Sequence, residues 1–438
     1  MTTRQISPCG PISGAVRVPG SKSITNRALL IAALAEGKSV LSGALDSEDT
    51  RIMFDALKQL GLQLDWDKEN CRIQIEGLAG NFPNREGEIY VGNSGTTARF
   101  LTAGLALSNG SYRIYGKPRM HERPIADLIA ALNLLGGNVR SENGSGCPPV
   151  LIRGTGSLHG TAQVPANVSS QFFSGLLMAA GASKDKIDLE IDGDLVSRPY
   201  IEMTLAVMES FGVKVDVDPA FQHFSGFEKT NYLGTGYEIE PDASAASYMF
   251  AIPAIVGGSV SVLGFSKSCI QGDIRFVERL AQMGCHVILE DDRITVERAV
   301  NPDGSLAPLR GIITDMNDIS DTVQTLSVVA LFANGTTEIR NVKHIRYKET
   351  DRISAAAAEL RKLGATVDEF EDGLRIQGNR LDSLHGALID TYDDHRMAMS
   401  LSLAGLRIPG VEIQNPDCTQ KTWPNYFNDL EAAVHPKK

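Results

Sequence analysis

The residues best suited to chemistry are Lys and Arg side chains at the starts of Ala/Leu-rich stretches. Lys22 and Arg27 lie in PGSKSITNRALL, and Arg99 follows GNSGTTA. Further basic residues in KPRMHERP, RYKETDR, DDHRMA and TQKTWP are Lys117, Arg119, Arg123, Arg346, Lys348, Arg352, His395, Arg396 and Lys421. A helix N-terminus is already positive, so an added cation costs roughly 0.3–1 kcal/mol unless an anion compensates it. The pattern predicts small, strongly anionic substrates.

Carboxylates among these cations are candidates for proton transfer. Asp321 opens one of the stretches, and Glu349 lies within RYKETDR. From the pattern alone, each carboxylate could equally cap a helix or form a salt bridge. His395 in DDHRM could relay a proton or could be a packed, hydrogen-bonded histidine.

Several other protein classes lack their sequence signatures. No GxxxxGK[ST], GxGxxG, HExxH or GxSxG motif opens a matching unit. The six cysteines are scattered singly, so we expect free thiols rather than zinc ligands or disulfides. A net charge of 42 − 53 = −11 argues against non-specific nucleic-acid binding. No apolar run is long enough to span a membrane, and MTTRQISPCG has no leader-like pattern, so we expect a cytoplasmic protein.

The cations are carried by a pattern that recurs about every seventy residues. A polar opener, a helical stretch, a Gly-containing turn and an alternating strand begin at Ser23, Ser94, Ser170, Asp242, Asp321 and Asp393. A second helical segment follows each opener. Each unit therefore reads β-α-β-α-β-β. A chain of 438 residues is too long for one ordinary core, so the six units predict an α/β fold with two lobes of three units.

The ordered motifs resemble the enolpyruvyl transferase family, most closely the branch that uses shikimate 3-phosphate. The shared segments run from PGSKSITNRALL through GNSGTTARF, PRMHERPI, SSQFFSGLLMAA and DASAASY to ISDTVQT, RYKETDRI, TYDDHRMA and CTQKTWPNYF. The resemblance implies two similar lobes of three βαβαββ units, with helix N-termini facing an interlobe cleft. It places one lobe at 21–241 and the other at 1–20 with 242–438.

The resemblance also implies the reaction: transfer of the enolpyruvyl group of phosphoenolpyruvate to the 5-hydroxyl of shikimate 3-phosphate, with release of phosphate. The implied shikimate 3-phosphate ligands are Lys22, Ser23, Arg27, Ser169, Ser170, Gln171, Ser197, Tyr200, Asp321, His344 and Lys348. The implied phosphoenolpyruvate ligands are Lys22, Gly95, Arg123, Gln171, Arg352, Arg396 and Lys421. Glu349, with Lys22 nearby, would give and later remove the carbon-bound proton, and Asp321 would accept the hydroxyl proton. The family implies a monomer without metal or organic cofactor.

Two positions depart from the family pattern, and three rival functions differ from it. Phe100 stands where Pro is frequent and could shift the helix that carries Gly95, and His344 stands where Asn is frequent. The resemblance associates a small residue at Gly95 with glyphosate sensitivity, so we expect sensitivity in the micromolar range. The sister transferase for UDP-N-acetylglucosamine carries Lys-Asn where this chain has Lys22-Ser23, and a non-catalytic anion-binding protein would not need Asp321. RNA 3′-phosphate cyclases share a related repeat, but the acidic charge disfavours that function.

Overall fold

The structure is a computed structural model that describes residues 2–165, 169–193, 195–227, 231–266, 268–378 and 381–435. The backbone divides into two compact units. Residues 20–239 form the first, called the central unit below. Residues 1–19 and 240–438 form the second, called the terminal unit because it contains both ends of the chain.

The helices and strands alternate along the chain. The strands are β1 (Thr3–Gln5), β2 (Ile12–Val16), β3 (Glu36–Ser42), β4 (Gln63–Asp67), β5 (Arg72–Leu78), β6 (Glu86–Tyr90), β7 (Ser111–Tyr115), β8 (Val139–Ser141), β9 (Val150–Arg153), β10 (Gly160–Pro165), β11 (Ile187–Asp192), β12 (Asp216–Val217), β13 (His223–Ser225), β14 (Gly236–Glu238), β15 (Gly258–Leu263), β16 (His286–Leu289), β17 (Arg293–Arg298), β18 (Ile313–Asp315), β19 (Thr336–Arg340), β20 (Val367–Phe370), β21 (Gly373–Gln377), β22 (Leu388–Ile389) and β23 (Glu412–Gln414). The α-helices are α1 (Lys22–Leu34), α2 (Glu48–Gln59), α3 (Gly95–Ala106), α4 (Ala126–Leu134), α5 (Ser170–Ala180), α6 (Arg198–Ser210), α7 (Ala243–Val256), α8 (Phe276–Met283), α9 (Val323–Ala330), α10 (Arg352–Lys362), α11 (His395–Gly405) and α12 (Tyr426–Val434).

The sheets repeat one topology. In the sheet β6-β7-β9-β8, the first two strands are parallel and the remaining neighbours are antiparallel. The same order occurs in β10-β11-β13-β12 and in β18-β19-β21-β20. In each of these segments one α-helix follows the first strand and another follows the second strand, so the segments are βαβαββ units. The predicted α/β fold built from this unit is confirmed.

Each of the remaining sheets includes a strand that is distant along the chain from the other strands of that sheet. In the central unit, β14 pairs with β3 and completes the first sheet. In the terminal unit, β2 pairs with β15, and β1 pairs with β23 in a sheet whose described strands are β1, β23 and β22. The first residues of the chain therefore belong to the terminal unit.

The first helix of each repeat is buried on nearly all sides, whereas the second is amphipathic. Every residue of α3 and α7 is buried, and α1 exposes only Ser23 to an intermediate degree. By contrast, α2 and α8 bury one face. A helix that is apolar all round must lie inside the domain. The polar side chains in the first turn of such a buried helix therefore contact other protein groups rather than solvent.

Most of these buried helices begin with a capping side chain, although not always at the predicted opener. Ser94 and Asp242 accept hydrogen bonds from Thr97 N and Ala245 N, as expected of N-caps. At three other openers the cap lies one or two residues away, at Ser21, Ser169 and Asp394. The opener Asp393 has φ +54° and does not cap α11, whose N-cap is the next residue, Asp394. Asp321 is not a cap either, since it lies in the 3₁₀ helix Asn317–Thr322.

Candidate active site

The first turn of α1 carries Lys22 and Ser23, and Arg27 follows one turn later. Ser21 caps this helix by accepting from Ile24 N at 3.4 Å. Lys22 is buried, and its Nζ lies 3.8 Å from Asp49 Oδ2 at the start of α2. A charged group so nearly excluded from water needs a counter-charge, which Asp49 supplies from the acidic first turn of the next helix. The lysine is thus fixed beside a helix N-terminus.

Arg27 is a buried guanidinium held by uncharged oxygen atoms. It donates to Thr204 Oγ1 at 2.8 Å, to the Ser23 carbonyl at 2.9 Å and to Ser174 Oγ at 3.1 Å. The ring of Phe100 lies 5.2 Å from its Cζ, within cation–π range. Burial lowers the pKa of Arg27 to about 10, so it remains charged at neutral pH. Phe100, which departs from the family pattern, therefore packs against Arg27, and α3 runs uninterrupted from Gly95 to Ala106.

Two further arginines converge on the N-terminus of α3. Arg123 Nη1 donates to the Asn93 carbonyl at 2.9 Å and to its side-chain oxygen at 3.2 Å, and Arg99 Nη1 donates to the Gly95 carbonyl at 3.1 Å. A methyl group at Gly95 would come within 2.3 Å of Arg123 Nη2 and 2.7 Å of Arg99 Nη1. Glycine is therefore the residue that lets both guanidiniums approach the first turn, where backbone N–H groups favour anions.

The start of α5 brings together the predicted residues Ser169, Ser170 and Gln171. Ser169 accepts from Gln171 N at 3.3 Å, and Gln171 Nε2 lies 3.4 Å from Thr96 Oγ1 on α3. This contact joins the first turns of α3 and α5. The preceding residues 166–168 lie outside the described part of the chain.

Ser197 and Tyr200 lie at the start of α6, against Arg27. Ser197 is buried in a left-handed conformation with φ +54°, which is unusual for a non-glycine residue. Its carbonyl accepts from Tyr200 N at 3.0 Å, and the Tyr200 carbonyl accepts from Arg27 Nη2 at 3.2 Å. The central unit's predicted residues thus lie at or beside the starts of α1, α3, α5 and α6.

In the terminal unit, Asp321 binds two arginines at once. Its Oδ1 accepts from Arg352 Nη1 at 3.0 Å, and its Oδ2 accepts from Arg396 Nη2 at 2.6 Å. Arg396 also donates to the buried Tyr248 hydroxyl at 3.3 Å. Charge-assisted pairs of this length are among the stronger hydrogen bonds in proteins. Asp321 thus forms two salt bridges and lies in a 3₁₀ helix rather than at a helix cap.

Glu349 lies between two other cations. Its Oε2 accepts from Arg352 Nη2 at 2.9 Å, and its Oε1 is 3.5 Å from Lys421 Nζ. All three side chains are at most 7% exposed. The terminal unit therefore differs from our expectation of cations awaiting an external anion. Carboxylates of the chain itself, Asp321 and Glu349, already pair with them.

Asp394 completes this cluster and was absent from the predicted set. Its fully buried carboxylate accepts two hydrogen bonds from Arg352, from Nε at 2.8 Å and from Nη2 at 3.2 Å. It also accepts from Arg396 N at 2.9 Å as the N-cap of α11. Burial alone would lower the pKa of Arg352, but Asp394, Glu349 and Asp321 together raise it above its ordinary value. The signal for Asp394 was its place as the last acidic residue before the helix in TYDDHRMA.

Two histidines near this cluster are uncharged. Burial, followed by the charge of Lys348, lowers the pKa of His344 to about 3. Burial and then Arg396 hold the pKa of His395 well below its usual range. Among the described residues, the His395 ring nitrogens have no hydrogen-bond partner, although Nδ1 lies 3.5 Å from Asp394 Oδ1. These contacts favour a packed histidine over a proton relay at His395.

The sequence and the fold match one family. A family model described as EPSP synthase (3-phosphoshikimate 1-carboxyvinyltransferase) covers residues 6–430. The chain belongs to the EPSP synthase family. A 3-phosphoshikimate 1-carboxyvinyltransferase from Trichormus variabilis is 45% identical over 418 residues, which cover 95% of each chain. One from Shewanella loihica is 44% identical over 436 residues, covering 99% of this chain and 100% of the relative.

Solved structures agree with the EPSP synthase assignment. An EPSP synthase from Acinetobacter baumannii has a TM-score of 0.81 and 25% identity, covering 99% of this chain and 98% of that one. The enolpyruvyl transferase NikO from Streptomyces tendae has a TM-score of 0.76 at 17% identity, which shows a shared fold. The resemblance expected from the ordered motifs is confirmed.

The described residues of this chain contain no group of three or more His, Cys, Asp or Glu side chains that could hold a metal ion. None of the described helices is both long enough and apolar enough to cross a membrane. The six cysteines are free thiols.

Proposed function

We propose that this chain transfers the enolpyruvyl group of phosphoenolpyruvate to the 5-hydroxyl of shikimate 3-phosphate, giving 5-enolpyruvylshikimate 3-phosphate and phosphate in aromatic amino acid biosynthesis. Family membership over residues 6–430 supports the reaction. The observation that carries the proposal is the buried cluster in which Asp321 and Glu349 share Arg352. It places two proton-accepting groups among cations suited to a phosphate and a carboxylate.

The proposed shikimate 3-phosphate ligands in the central unit are hydroxyl, amide and basic groups at helix starts. They are Lys22, Ser23, Arg27, Ser169, Ser170, Gln171, Ser197 and Tyr200. Free N–H groups and the helix dipole at such positions favour a phosphate. Most of the donor groups of Arg27 are already occupied by Thr204, Ser174 and backbone carbonyls. We therefore assign Arg27 mainly to holding Ser23 and Tyr200 in place and to supplying positive charge.

The terminal unit contributes Asp321, His344 and Lys348 to the same substrate in this proposal. A neutral His344 can accept or donate a hydrogen bond, as the Asn frequent at this position can. This similarity supports retention of His344 as a ligand despite its departure from the family pattern.

The proposed phosphoenolpyruvate ligands combine several guanidinium and ammonium groups. They are Lys22, Gly95, Arg123, Gln171, Arg352, Arg396 and Lys421. The planar fork of an arginine suits the oxygens of phosphate and carboxylate. Because Arg352 and Arg396 already contact carboxylates, an arriving anion shares their donor groups rather than meeting unpaired charges. This arrangement holds the guanidiniums in position before the substrate arrives.

The proposed chemistry follows an addition and an elimination. Glu349, together with Lys22, delivers a proton to the methylene carbon of phosphoenolpyruvate, and the carbon that bears the phosphate becomes oxocarbenium-like. The 5-hydroxyl attacks that carbon while Asp321 accepts its proton, which gives a tetrahedral ketal phosphate. Phosphate then leaves as hydrogen phosphate with the proton that Asp321 had accepted, and loss of one methyl proton, returned to Glu349, restores the carbon–carbon double bond.

The neighbours of Glu349 support its assignment to proton transfer. Its carboxylate contacts Arg352 and Lys421. When the anionic groups of phosphoenolpyruvate draw on those cations, protonation of the carboxyl becomes easier. Substrate binding itself would thus prepare the general acid.

The deciding experiment measures phosphate release from phosphoenolpyruvate with the purified chain. We expect turnover with shikimate 3-phosphate and none with UDP-N-acetylglucosamine as the acceptor. Release with only the second acceptor would overturn the proposal. Binding of both substrates without any turnover would point to a non-catalytic anion-binding protein.

A further inference from the structure

We infer that Glu359 is a positioning residue for Arg352, acting through the turn that carries Asp394. The inference rests on the proposed function, because Arg352 is there assigned to phosphoenolpyruvate. Glu359 lies outside the predicted site. Within the described part of the chain, its hydrogen bonds and ion pair are made with residues that do not belong to that site. Its carboxylate is nevertheless fully buried and has three partners.

The partners of Glu359 show what it holds. Oε1 accepts from the Tyr392 hydroxyl at 2.7 Å, and Oε2 accepts from Asp390 N at 3.0 Å. Lys362 Nζ lies 2.8 Å from Oε2, and its side chain is 44% exposed. A buried carboxylate is costly unless it is paired and hydrogen-bonded. Here two of the three compensating contacts come from one short segment, residues 390–392.

That segment has a backbone that needs external support. Tyr392 and Asp393 are consecutive non-glycine residues with φ of +53° and +54°. Such residues cost roughly 1–3 kcal/mol each and persist where the surroundings hold them. Tyr392 N donates to Asp390 Oδ1 at 2.8 Å, and Asp394 N donates to the Thr391 carbonyl at 2.8 Å. Asp394 thus follows directly after two residues, Tyr392 and Asp393, whose backbone is in the left-handed region.

The geometry of α10 connects this turn to the arginine. Arg352 is the first residue of α10, and Glu359 follows seven positions later on the same face, two turns along the helix. The turn is thus attached to α10 at two points. Glu359 binds the start of the turn through Tyr392 and Asp390, and Arg352 binds the end of the turn through Asp394. Loosening the first attachment should let Asp394 move, and the Arg352 guanidinium would move with it.

The test uses Tyr392→Phe, which removes one hydroxyl, and Glu359→Gln, which places an NH₂ group against a donor. Tyr112→Phe is the matched control, because the buried Tyr112 hydroxyl donates to the Asn84 carbonyl at 3.1 Å in the central unit. We expect both test variants to raise the KM for phosphoenolpyruvate roughly 3- to 10-fold, the range for one lost hydrogen bond, and to leave the KM for shikimate 3-phosphate within about twofold. The control should change neither.

Hydrogen exchange supplies a readout that does not depend on turnover. Amides in 390–396 should exchange about tenfold faster in Tyr392→Phe, with 243–256 unchanged. If the wild-type protein shows no turnover, the proposed function fails, and the exchange result alone decides the positioning role. Unchanged exchange in 390–396, or faster exchange with an unaltered KM for phosphoenolpyruvate, would overturn the inference. Tyr392→Phe keeps the test valid if Glu359→Gln does not fold.

Discussion

Arg27 of the central unit and Arg352 of the terminal unit are both buried, yet different groups hold them. Arg27 is surrounded by hydroxyls, carbonyls and aromatic rings, and burial lowers its pKa to about 10. Arg352 is held by Asp394, Glu349 and Asp321, which together outweigh burial and raise its pKa. The first arrangement leaves positive charge available to an anion. The second balances charge internally and places carboxylates where protons can be exchanged.

The contrast also explains why the terminal unit carries the candidate acid and base. A carboxylate that helps to stabilise buried arginines is held rigidly, and its affinity for a proton responds when a substrate draws on the same arginines. Neutral partners of the kind that hold Arg27 cannot respond in this way. The two units thus differ in how they hold a buried arginine: neutral groups surround Arg27, and carboxylates surround Arg352.

The largest expected effect tests the catalytic side of this comparison. Asp321→Asn keeps hydrogen-bonding atoms beside Arg352 and Arg396 but cannot accept a proton at neutral pH. We expect kcat to fall by roughly 10²–10⁴-fold. Calorimetry should show that shikimate 3-phosphate still binds. Asp318→Asn, in the same 3₁₀ helix and paired with Arg275, is the control and should keep wild-type kcat. A kcat within threefold of wild type in Asp321→Asn, roughly, would remove Asp321 from the mechanism.

The next prediction compares stability in the two units. Asp394→Ala leaves the buried Arg352 without its two-point partner, and we expect a loss of about 3–5 kcal/mol in the free energy of unfolding. Thr204→Val removes a neutral partner of Arg27 and should cost about 1–2 kcal/mol. Urea unfolding of both variants measures the difference. Equal losses would show that carboxylate and hydroxyl partners matter alike.

A pH dependence follows from His344 in the terminal unit. Its folded pKa of about 3 lies below the unfolded value of about 6.5, so the unfolded chain binds the proton more readily in between. His344 therefore contributes stability above about pH 6.5 that is lost as the pH falls toward 3. Between pH 7 and pH 5, the wild type should lose about 2 kcal/mol more than His344→Asn in urea unfolding. The exposed His286→Asn serves as the control. Parallel losses in wild type and His344→Asn would contradict a buried, neutral His344.

The smallest expected effect concerns the anion-holding side. In Gly95→Ala, the methyl group must displace the guanidinium ends of Arg123 and Arg99, which are flexible enough to move. We expect the KM for phosphoenolpyruvate to rise about tenfold, or roughly 1.4 kcal/mol, and glyphosate inhibition to weaken by a larger factor. Gly236→Ala is the control, since a methyl group there meets no atom within 4 Å. Equal or smaller weakening of glyphosate than of phosphoenolpyruvate would contradict crowding of the inhibitor.

Much of the fold was predictable because the repeat is a local signal. Apolar spacing, polar openers and turn glycines recur in each unit, and they predicted the βαβαββ topology that the sheets display. Positions of individual caps were less predictable. Asp393 and Asp394 are identical in type, and only the backbone conformation determines which of them caps α11.

The candidate site was predictable in its residue types and less so in its pairings. Lys22, Arg123 and Arg396 follow from motifs read along the chain, and the family resemblance assigned them to substrates. Asn93 and Asp394 lie inside those motifs and were missed, because their contacts with Arg123 and Arg352 are side-chain geometry. Glu359 had no sequence signal, since an acidic residue in an amphipathic helix is ordinarily exposed.

The sequence by itself determined where cations and carboxylates occur relative to helix starts, because helical periodicity and capping involve neighbours along the chain. Only the tertiary structure decided which charges meet. Asp321 contacts Arg352 and Arg396 across 31 and 75 residues, and Asp394 contacts Arg352 across 42. Such pairs depend on the packing of whole helices and on the need of each buried charge for a partner. That need makes the cations of the terminal unit a balanced cluster, whereas Arg27 of the central unit is held by neutral groups.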